Sequence, residues 1–552
     1  MNFTSVNKIF EKSFKKNWDR PAISNYQGVT FYYRDLARRI EKLHIVFERC
    51  GLQKGDKVAI CSRNQANWVV SFLATLTYGA VPVPLMHEFK SSNIHHLVNH
   101  SEAKVLFVDE VIWEGLSESE MPDLLAIIQV NTFKLLYASN DDIVYVREHL
   151  NELFGKKYPM DFVADSINYY EDKADELAII NYTSGTSGFS KGVMIPYRAI
   201  CSNIEFAAKV LPQLNHTSRV VAMLPSAHMY GLMFEVLYQL SVGCHVFFLS
   251  RLPSPKIIMQ ALSEVKPTLV IAVPLIIEKI YKNKVKPVLE KAGIRFVMKL
   301  PGLEQVVMNK IKTELINAFG GEFYEVIIGG AAFNKEVEAF FRKMEFPFTV
   351  GYGMTECAPI ITYEDYKTAR LYSCGRIVPN MEIKVDSSDP QNIPGEVMVK
   401  GANVFLGYYK NDEATKEVLD DEGWLHTGDM GVLDEDGYLY IRGRSKCMIL
   451  GASGQNIYPE EVEAVLDTRP YFLESLVIED NGGLTALIYP DFDLAAQDGM
   501  TQETLIQYIK DTLPDINKEL PNYSKLNKIE VMSEPFERTP KKSIKRYLYQ
   551  RK

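Results

Sequence analysis

Short, unbroken apolar runs recur through the first part of the chain, at positions 57–61, 104–108, 177–180, 219–224, 245–249, 269–273 and 325–328. An unbroken run, unlike an alternating one, suits a strand covered on both faces. The stretches between them accommodate helices of roughly 10–15 residues, the spacing of βαβ units and largely parallel sheets. The most apolar stretch, 68–86, is interrupted by Gly79, Pro82 and Pro84. It predicts a buried helix of about a dozen residues followed by a strand, too short to span a bilayer. After residue 370 the texture changes. Residues 395–401 and 437–442 are short strands bounded by turns, which predicts a β-rich subdomain. A domain boundary is expected between Gly443 and Met448. Beyond it runs a separate α+β pattern, with helices over 459–466 and 502–513 and strands over 476–479 and 484–489. The expected fold class is α/β. A large N-terminal domain (1–443) of βαβ-layered parallel sheets with a β-rich subdomain is followed by a connection (444–448) and a small α+β C-terminal domain (449–552).

Composition narrows the class. A chain of 552 residues exceeds one ordinary core, and 47% hydrophobic with 24% charged residues is a soluble globular balance. A net charge of −9 argues against a nucleic-acid binder, which needs a basic face. Seven widely spaced cysteines without a Cys-x-x-Cys pair point to free thiols in a reducing compartment. The first residues lack the apolar core of a signal peptide and no transmembrane segment is expected, so the predicted location is cytoplasmic. Peripheral membrane contact and a homodimer stay open.

The chemistry concentrates first in Tyr182-Thr-Ser-Gly-Thr-Ser-Gly-Phe-Ser-Lys-Gly192, which follows the apolar run 177–180. Glycines let the backbone approach a ligand, successive N–H groups form an anion-binding concavity, and Lys191 adds charge. A polyphosphate is the natural occupant, against the plainer reading of a flexible surface loop. The segment is not a Walker A loop, because Ser190 precedes the lysine and Gly192 follows it. Four more segments follow in order. Ile327-Ile-Gly-Gly-Ala-Ala332 is a strand running into tiny residues, with room for a flat ring. Gly351-Tyr-Gly-Met-Thr-Glu356 sets an aromatic face beside a hydroxyl and a carboxylate. Gly423-Trp-Leu-His-Thr-Gly-Asp-Met-Gly431 offers Asp429 to sugar hydroxyls, and Tyr440-Ile-Arg-Gly-Arg-Ser-Lys446 carries Arg444 and Lys446 to the boundary.

Together these segments closely resemble the adenylate-forming superfamily of acyl-CoA synthetases, luciferases and peptide-synthetase adenylation domains, from about residue 20 to the C-terminus. The stretch Gly451-Ala-Ser-Gly-Gln-Asn-Ile-Tyr-Pro-Glu460 is most similar to the long-chain fatty acyl-CoA ligase branch. The resemblance implies ATP-dependent formation of an acyl-adenylate from a fatty acid, with loss of pyrophosphate, then transfer to coenzyme A. It implies Mg²⁺ on Thr183 and Glu356, and phosphates held by Ser184, Gly185, Thr186, Ser187, Gly188 and Lys191. It implies adenine between Gly330, Ala331 and Tyr352, nucleotide contacts from Gly353, Met354 and Thr355, and ribose on Asp429 and Arg444. His228 would stand beside the acyl carboxylate, although a histidine filling a strand end is the ordinary structural reading. The run from Met229 to Leu240 would line the acyl pocket, and Lys446 would be the hinge about which a C-terminal lid turns.

Two departures from the family pattern matter. Ser190 replaces the proline that usually precedes the loop lysine, which loosens the loop but keeps its charge. In Thr539-Pro-Lys-Lys-Ser-Ile-Lys-Arg546, Ser543 stands where the family places its adenylation lysine, and Lys542 is the preferred stand-in. A solvated basic tail is the plainer alternative there. The readings that stay open are a ligase for another carboxylate or a carrier-protein acceptor, and a nucleotide- and acyl-binding homologue with weak or no catalysis. A zinc site among His95, His96 and His100 lacks a third ligand, and Cys357 lacks a partner base, so neither is favoured.

Overall fold

The computed structural model describes residues 3–184, 190–250, 255–298, 300, 302–450, 456–539 and 544–551, with only the backbone of Ser184 and Pro255. Strand Lys57–Cys61 sits within a five-stranded sheet, between Val81–Leu85 and Ala103–Val108. Ala126–Gln129 extends the sheet in parallel and Leu135–Ala138 closes its edge antiparallel. Val58, Ala59, Ile60 and Cys61 are fully buried, which is why the run is apolar on both pleat faces. Helix Ala66–Tyr78 is enclosed on all sides, with Trp68 and Phe72 stacked at 5.3 Å. Gly79 ends it in the left-handed region at φ 87°, a conformation glycine adopts without a Cβ penalty, and the chain passes directly into Val81–Leu85.

A second sheet runs Arg219–Ala222, His245–Phe248, Pro21–Asn25 in parallel, with Thr30–Tyr32 antiparallel at the edge. A third is wholly parallel: Val270–Ala272, Val326–Ile328, Phe348–Val350. The later β-rich texture is an antiparallel meander of Met381–Asp386, Gly395–Gly401, Leu425–Leu433 and Leu439–Arg444. After it, the hairpin Phe472–Asp480/Gly483–Pro490 takes Leu526–Val531 as a parallel third strand. Helices Pro459–Leu466 and Gln502–Asp511 cover that sheet, and Val462, Leu466, Ile488, Leu505 and Ile509 belong to a core of its own. This C-terminal unit meets the rest largely through long polar side chains. Lys335 pairs with Glu461 at 3.2 Å, Asn334 Nδ2 donates to the Ala464 carbonyl at 3.0 Å, and Lys286 Nζ donates to the Thr468 carbonyl at 2.9 Å. Among the described residues, no helix is long and apolar enough to cross a membrane.

Glu325 and Glu338 are among the buried carboxyls that make folding stability fall with rising pH. Burial pushes Glu325 and Glu338 up to about 7, although the Tyr363 hydroxyl donates to Glu325 and the Tyr372 N–H to Glu338. Between the ordinary carboxyl value of 4.5 and about 7, the folded chain holds protons that the unfolded chain has released. Their stabilisation is therefore complete below pH 4.5 and lost as pH rises through 7, on the order of 3 kcal/mol for each group. Melting temperature is expected to drop between pH 5 and pH 8, and Glu325→Gln to flatten that drop. An unchanged slope in the variant would exclude Glu325 as its source.

Candidate active site

Strands Leu177–Ser184 and Ser190–Pro196 pair as an antiparallel hairpin. Thr183 and Ser184 thus lie at the end of a strand and not in the loop that the sequence suggested. Ladder pairing reaches further because Thr183 and Ser184 continue the extended run begun at Leu177 and find partners in Lys191 and Ser190. Gly185, Thr186, Ser187 and Gly188 lie outside the described residues, as does the Ser184 side chain. Thr183 stands directly opposite Lys191, which sends both side chains to the same face of the hairpin. The Thr183 hydroxyl also donates to the Lys191 carbonyl at 3.4 Å.

That face leads to a carboxylate. Lys191 Nζ lies 4.7 Å from the centre of the Tyr408 ring, a cation–π contact, and the Tyr408 hydroxyl donates to Glu356 Oε1 at 2.9 Å. Backbone bonds from Tyr409 N–H to the Gly192 carbonyl (2.8 Å) and from Met194 N–H to the Gly407 carbonyl (3.0 Å) hold Tyr408 against the hairpin. Glu356 is buried in the 3₁₀ turn Thr355–Cys357, where its carbonyl accepts from Phe405 N–H at 2.9 Å. Lys191, Tyr408 and Glu356 are therefore one contact chain, with Thr183 at its near end. An oxygen-donor pair such as the Thr183 hydroxyl and the Glu356 carboxylate suits a hard cation that keeps most of its ligands from phosphate and water. No group of three His, Cys, Asp or Glu side chains able to hold a metal by themselves occurs among the described residues. Cys357 is fully enclosed, and burial beside Glu356 drives its thiol far upward, so it is no nucleophile.

The same segment carries a second cluster. The Tyr352 hydroxyl donates to Asp429 Oδ2 at 2.6 Å, and Arg444 Nε contacts Asp429 Oδ1 at 2.8 Å. Asp429 and Arg444 face each other across the strands Leu425–Leu433 and Leu439–Arg444. Burial raises the Asp429 carboxyl, while the Arg444 charge and the Tyr352 hydroxyl pull it back down. Each oxygen of this carboxylate retains a lone pair for a further donor such as a sugar hydroxyl. Gly353 is exposed and shape-critical, because a Cβ there would stand 2.0 Å from the Pro359 carbonyl oxygen. Met354 and Thr355 continue the segment toward Glu356. Gly330 and Ala331 are exposed at the end of strand Val326–Ile328, and Gly330 takes the left-handed region at φ 86°. A side chain is strained in that conformation. The Tyr230 hydroxyl donates to the Ile327 carbonyl at 3.1 Å, tying this strand end to the turn that bears His228.

His228 caps that turn, its Nδ1 accepting from Tyr230 N–H at 3.4 Å. The loop before it is held by three polar side chains that motif reading did not single out. Glu235 accepts from Met223 and Leu224 N–H, each at 3.0 Å. Asn64 Oδ1 accepts from Ser226 N–H at 2.7 Å, and Asn181 Nδ2 donates to the Ala227 carbonyl at 2.9 Å. Glu235 lies in a π-helical stretch, Leu232–Leu237, and burial holds its carboxyl well above the usual range. A lone acid inside Leu-Met-Phe-Glu-Val-Leu was the one available sequence signal for it. Met229, Leu232, Met233, Val236 and Leu237 are packed into the main core. Tyr408 had no comparable signal, since only the fold brings it to Glu356.

Lys446 is exposed in the 3₁₀ turn Ser445–Cys447, directly after the meander. Lys542 and Ser543 lie outside the described residues; the chain on either side is joined by an antiparallel bridge between Arg538 and Ile544. His95 and His100 take local hydrogen bonds, from Ser117 N–H at 3.1 Å and with the Tyr182 hydroxyl at 2.7 Å.

A family model described as AMP-binding enzyme matches residues 10–409, and one described as AMP-binding enzyme C-terminal domain matches residues 447–552. The chain is similar to the long-chain-fatty-acid–CoA ligase ACSBG2 of Rattus norvegicus, 27% identical over 520 residues covering 88% of this chain and 76% of that protein. It is 26% identical to a long-chain-fatty-acid–CoA ligase of Escherichia coli over 532 residues, 92% of this chain and 89% of that one. Among solved structures, ATP-bound MatB from Rhodopseudomonas palustris aligns with a TM-score of 0.75 at 22% identity, covering 99% of this chain and 98% of the other. The anthranilate CoA ligase AuaEII in complex with anthranoyl-AMP aligns with a TM-score of 0.77 at 19% identity, over 99% and 96%. These structural likenesses are likenesses of fold.

Proposed function

Since the chain belongs to the AMP-binding enzyme family, we propose that it joins a long-chain fatty acid to coenzyme A at the expense of ATP, in two steps. In the first, a carboxylate oxygen of the acid attacks the α-phosphorus, pyrophosphate leaves, and an acyl-adenylate forms. In the second, the thiol of coenzyme A attacks the acyl carbon, AMP leaves with the bonding electron pair, and the thiol proton passes to solvent. The observation that carries this reading is that one short segment, from Tyr352 to Glu356, belongs to both clusters: Tyr352 holds Asp429, and Glu356 takes Tyr408 with Lys191 behind it. A nucleoside triphosphate laid along that segment would have its sugar at Asp429 and Arg444 and its phosphates at the hairpin end.

The chain's own tasks follow from the contacts. Lys191 would orient and neutralise the phosphates, the larger part of catalysis in such transfers. Thr183 and Glu356 would hold Mg²⁺, which supplies further charge neutralisation when bound. His228 would sit beside the acyl carboxylate on a loop fixed by Glu235, Asn64 and Asn181. The 444–448 connection, with Lys446, would serve as hinge between the half-reactions. The exposed ion pair Lys335–Glu461 supports this, because such a pair is worth about 1 kcal/mol or less and exchanges readily.

The long-chain acid is supported by the names of the curated relatives, and the anthranilate ligase among the fold neighbours keeps another carboxylate as the alternative. A panel of acids from short to very long chain, with detection of AMP and of thioester, separates the two. Fatty-acid-dependent pyrophosphate exchange followed by acyl-CoA formation is expected. Exchange with aromatic acids only would replace the substrate, and thioester formation on a carrier protein only would replace the acceptor. Asp429→Asn is expected to raise the KM for ATP about thirtyfold with little change in kcat, from loss of a charge-assisted bond of about 2 kcal/mol. An unchanged KM would take Asp429 out of the nucleotide site.

A further inference from the structure

The region between Lys279 and Lys312 inverts the charge of the rest of the chain. It holds nine basic residues against two acidic ones, in a protein whose net charge is −9. It is also where large apolar side chains stand out into solvent together. Phe296 is 65% exposed, Leu303 46% and Val306 63%. Other exposed apolar residues occur singly, such as Val111, or in pairs such as Met160 with Val163 and Leu371 with Tyr372; here three lie on two packed helices within a strongly basic stretch. Here helix Ala292–Val297 packs on helix Leu303–Ala318. The longer helix turns Met308, Ile311 and Leu315 into the core and leaves Leu303, Val306 and Lys310 outside. Lys284, Lys291 and Arg295 are exposed alongside.

We propose that this surface docks on an anionic lipid bilayer, with Phe296, Leu303 and Val306 entering the headgroup boundary and the surrounding lysines and arginine meeting lipid phosphates and carboxylates. Projecting apolar side chains ringed by cations fit an interface that is apolar below and negatively charged above. A second copy of this chain presents the same positive charge and is repelled. Each basic residue near such a surface strengthens partition about fivefold, which falls away with salt. The inference stands apart from the ligase reading, since none of these residues is placed in the active site.

Flotation of the full chain with vesicles of phosphatidylcholine, alone or with about a third phosphatidylglycerol, tests it. The chain is expected to float with the anionic vesicles at low salt and to be released at high salt. Phe296→Asp combined with Val306→Asp, and separately Lys291→Glu combined with Arg295→Glu, are expected to weaken flotation at least about tenfold. Met160→Asp, an equally exposed apolar position elsewhere, leaves it unchanged. Phe296→Trp supplies a readout in a folded chain, its emission shifting to the blue on addition of anionic vesicles. No flotation of the wild type, flotation indifferent to both double variants, or an unshifted emission from the Phe296→Trp chain overturns the proposal, and capture of a soluble acidic protein without vesicle binding does so as well.

Discussion

Glu356→Gln is expected to lower fatty-acid-dependent pyrophosphate exchange by about two to three orders of magnitude, with the fold intact. The substitution keeps an oxygen that can still accept from the Tyr408 hydroxyl, so the packing around the 3₁₀ turn survives. What disappears is the negative charge, and with it the carboxylate that the structure sets at the end of the Lys191–Tyr408 chain. If that charge holds Mg²⁺ against the phosphates, the variant should also need more Mg²⁺ to reach half its maximal rate. Tyr408→Phe is the graded companion. It leaves the charge and removes one bond to it, so roughly a tenfold loss is expected from about 1.5 kcal/mol. Exchange in Glu356→Gln within a fewfold of wild type, at equal melting temperature, would sink the assignment.

Lys542→Ala is expected to cost adenylation about a hundredfold, the size of a lost preorganised charge of about 3 kcal/mol, while thioester formation from a supplied acyl-adenylate stays near wild type. The frame around this segment is firm on both sides. Arg538 bridges to Ile544, and Arg546 is paired with Glu463 and lies 3.8 Å from Glu460. The partner experiment is Ser543→Lys, which restores the lysine at the family position. With Lys542 already filling the role, the gain should be small. Activity rising from nothing in Ser543→Lys would instead favour a nucleotide- and acyl-binding homologue in which catalysis has lapsed. A fully active Lys542→Ala would assign the charge to another residue.

Several of the strands and a few of the helices were legible in the chain. Val58 to Cys61 and Val326 to Ile328 are apolar without alternation because both faces of each strand are covered. Pro459–Leu466 begins at a proline, the residue preadapted to a first helical turn. Tyr352, Gly353 and Glu356 stood out as candidate chemistry because short spacing along one segment puts an aromatic face, a backbone approach and a carboxylate side by side, and Asp429 because it sits in a separate glycine-flanked turn. Local sequence fixes such things: period, turn geometry and the donor set of a contiguous loop.

Long-range neighbours were decided by the tertiary structure. Tyr408 reaches Glu356 from 52 positions away, Asn64 braces the His228 loop from 162 positions away, and Asp429 finds Tyr352 across 77. Tyr408 and Asn64 have no pattern of their own, and even for Tyr352 and Asp429 the pairing is supplied by sheet order and the course of the backbone. The end of the glycine-rich segment shows the same limit, for Thr183 is claimed by a ladder with Lys191 that no local propensity announces. The chain determined which groups are available and how each element folds; packing alone determined which of them meet.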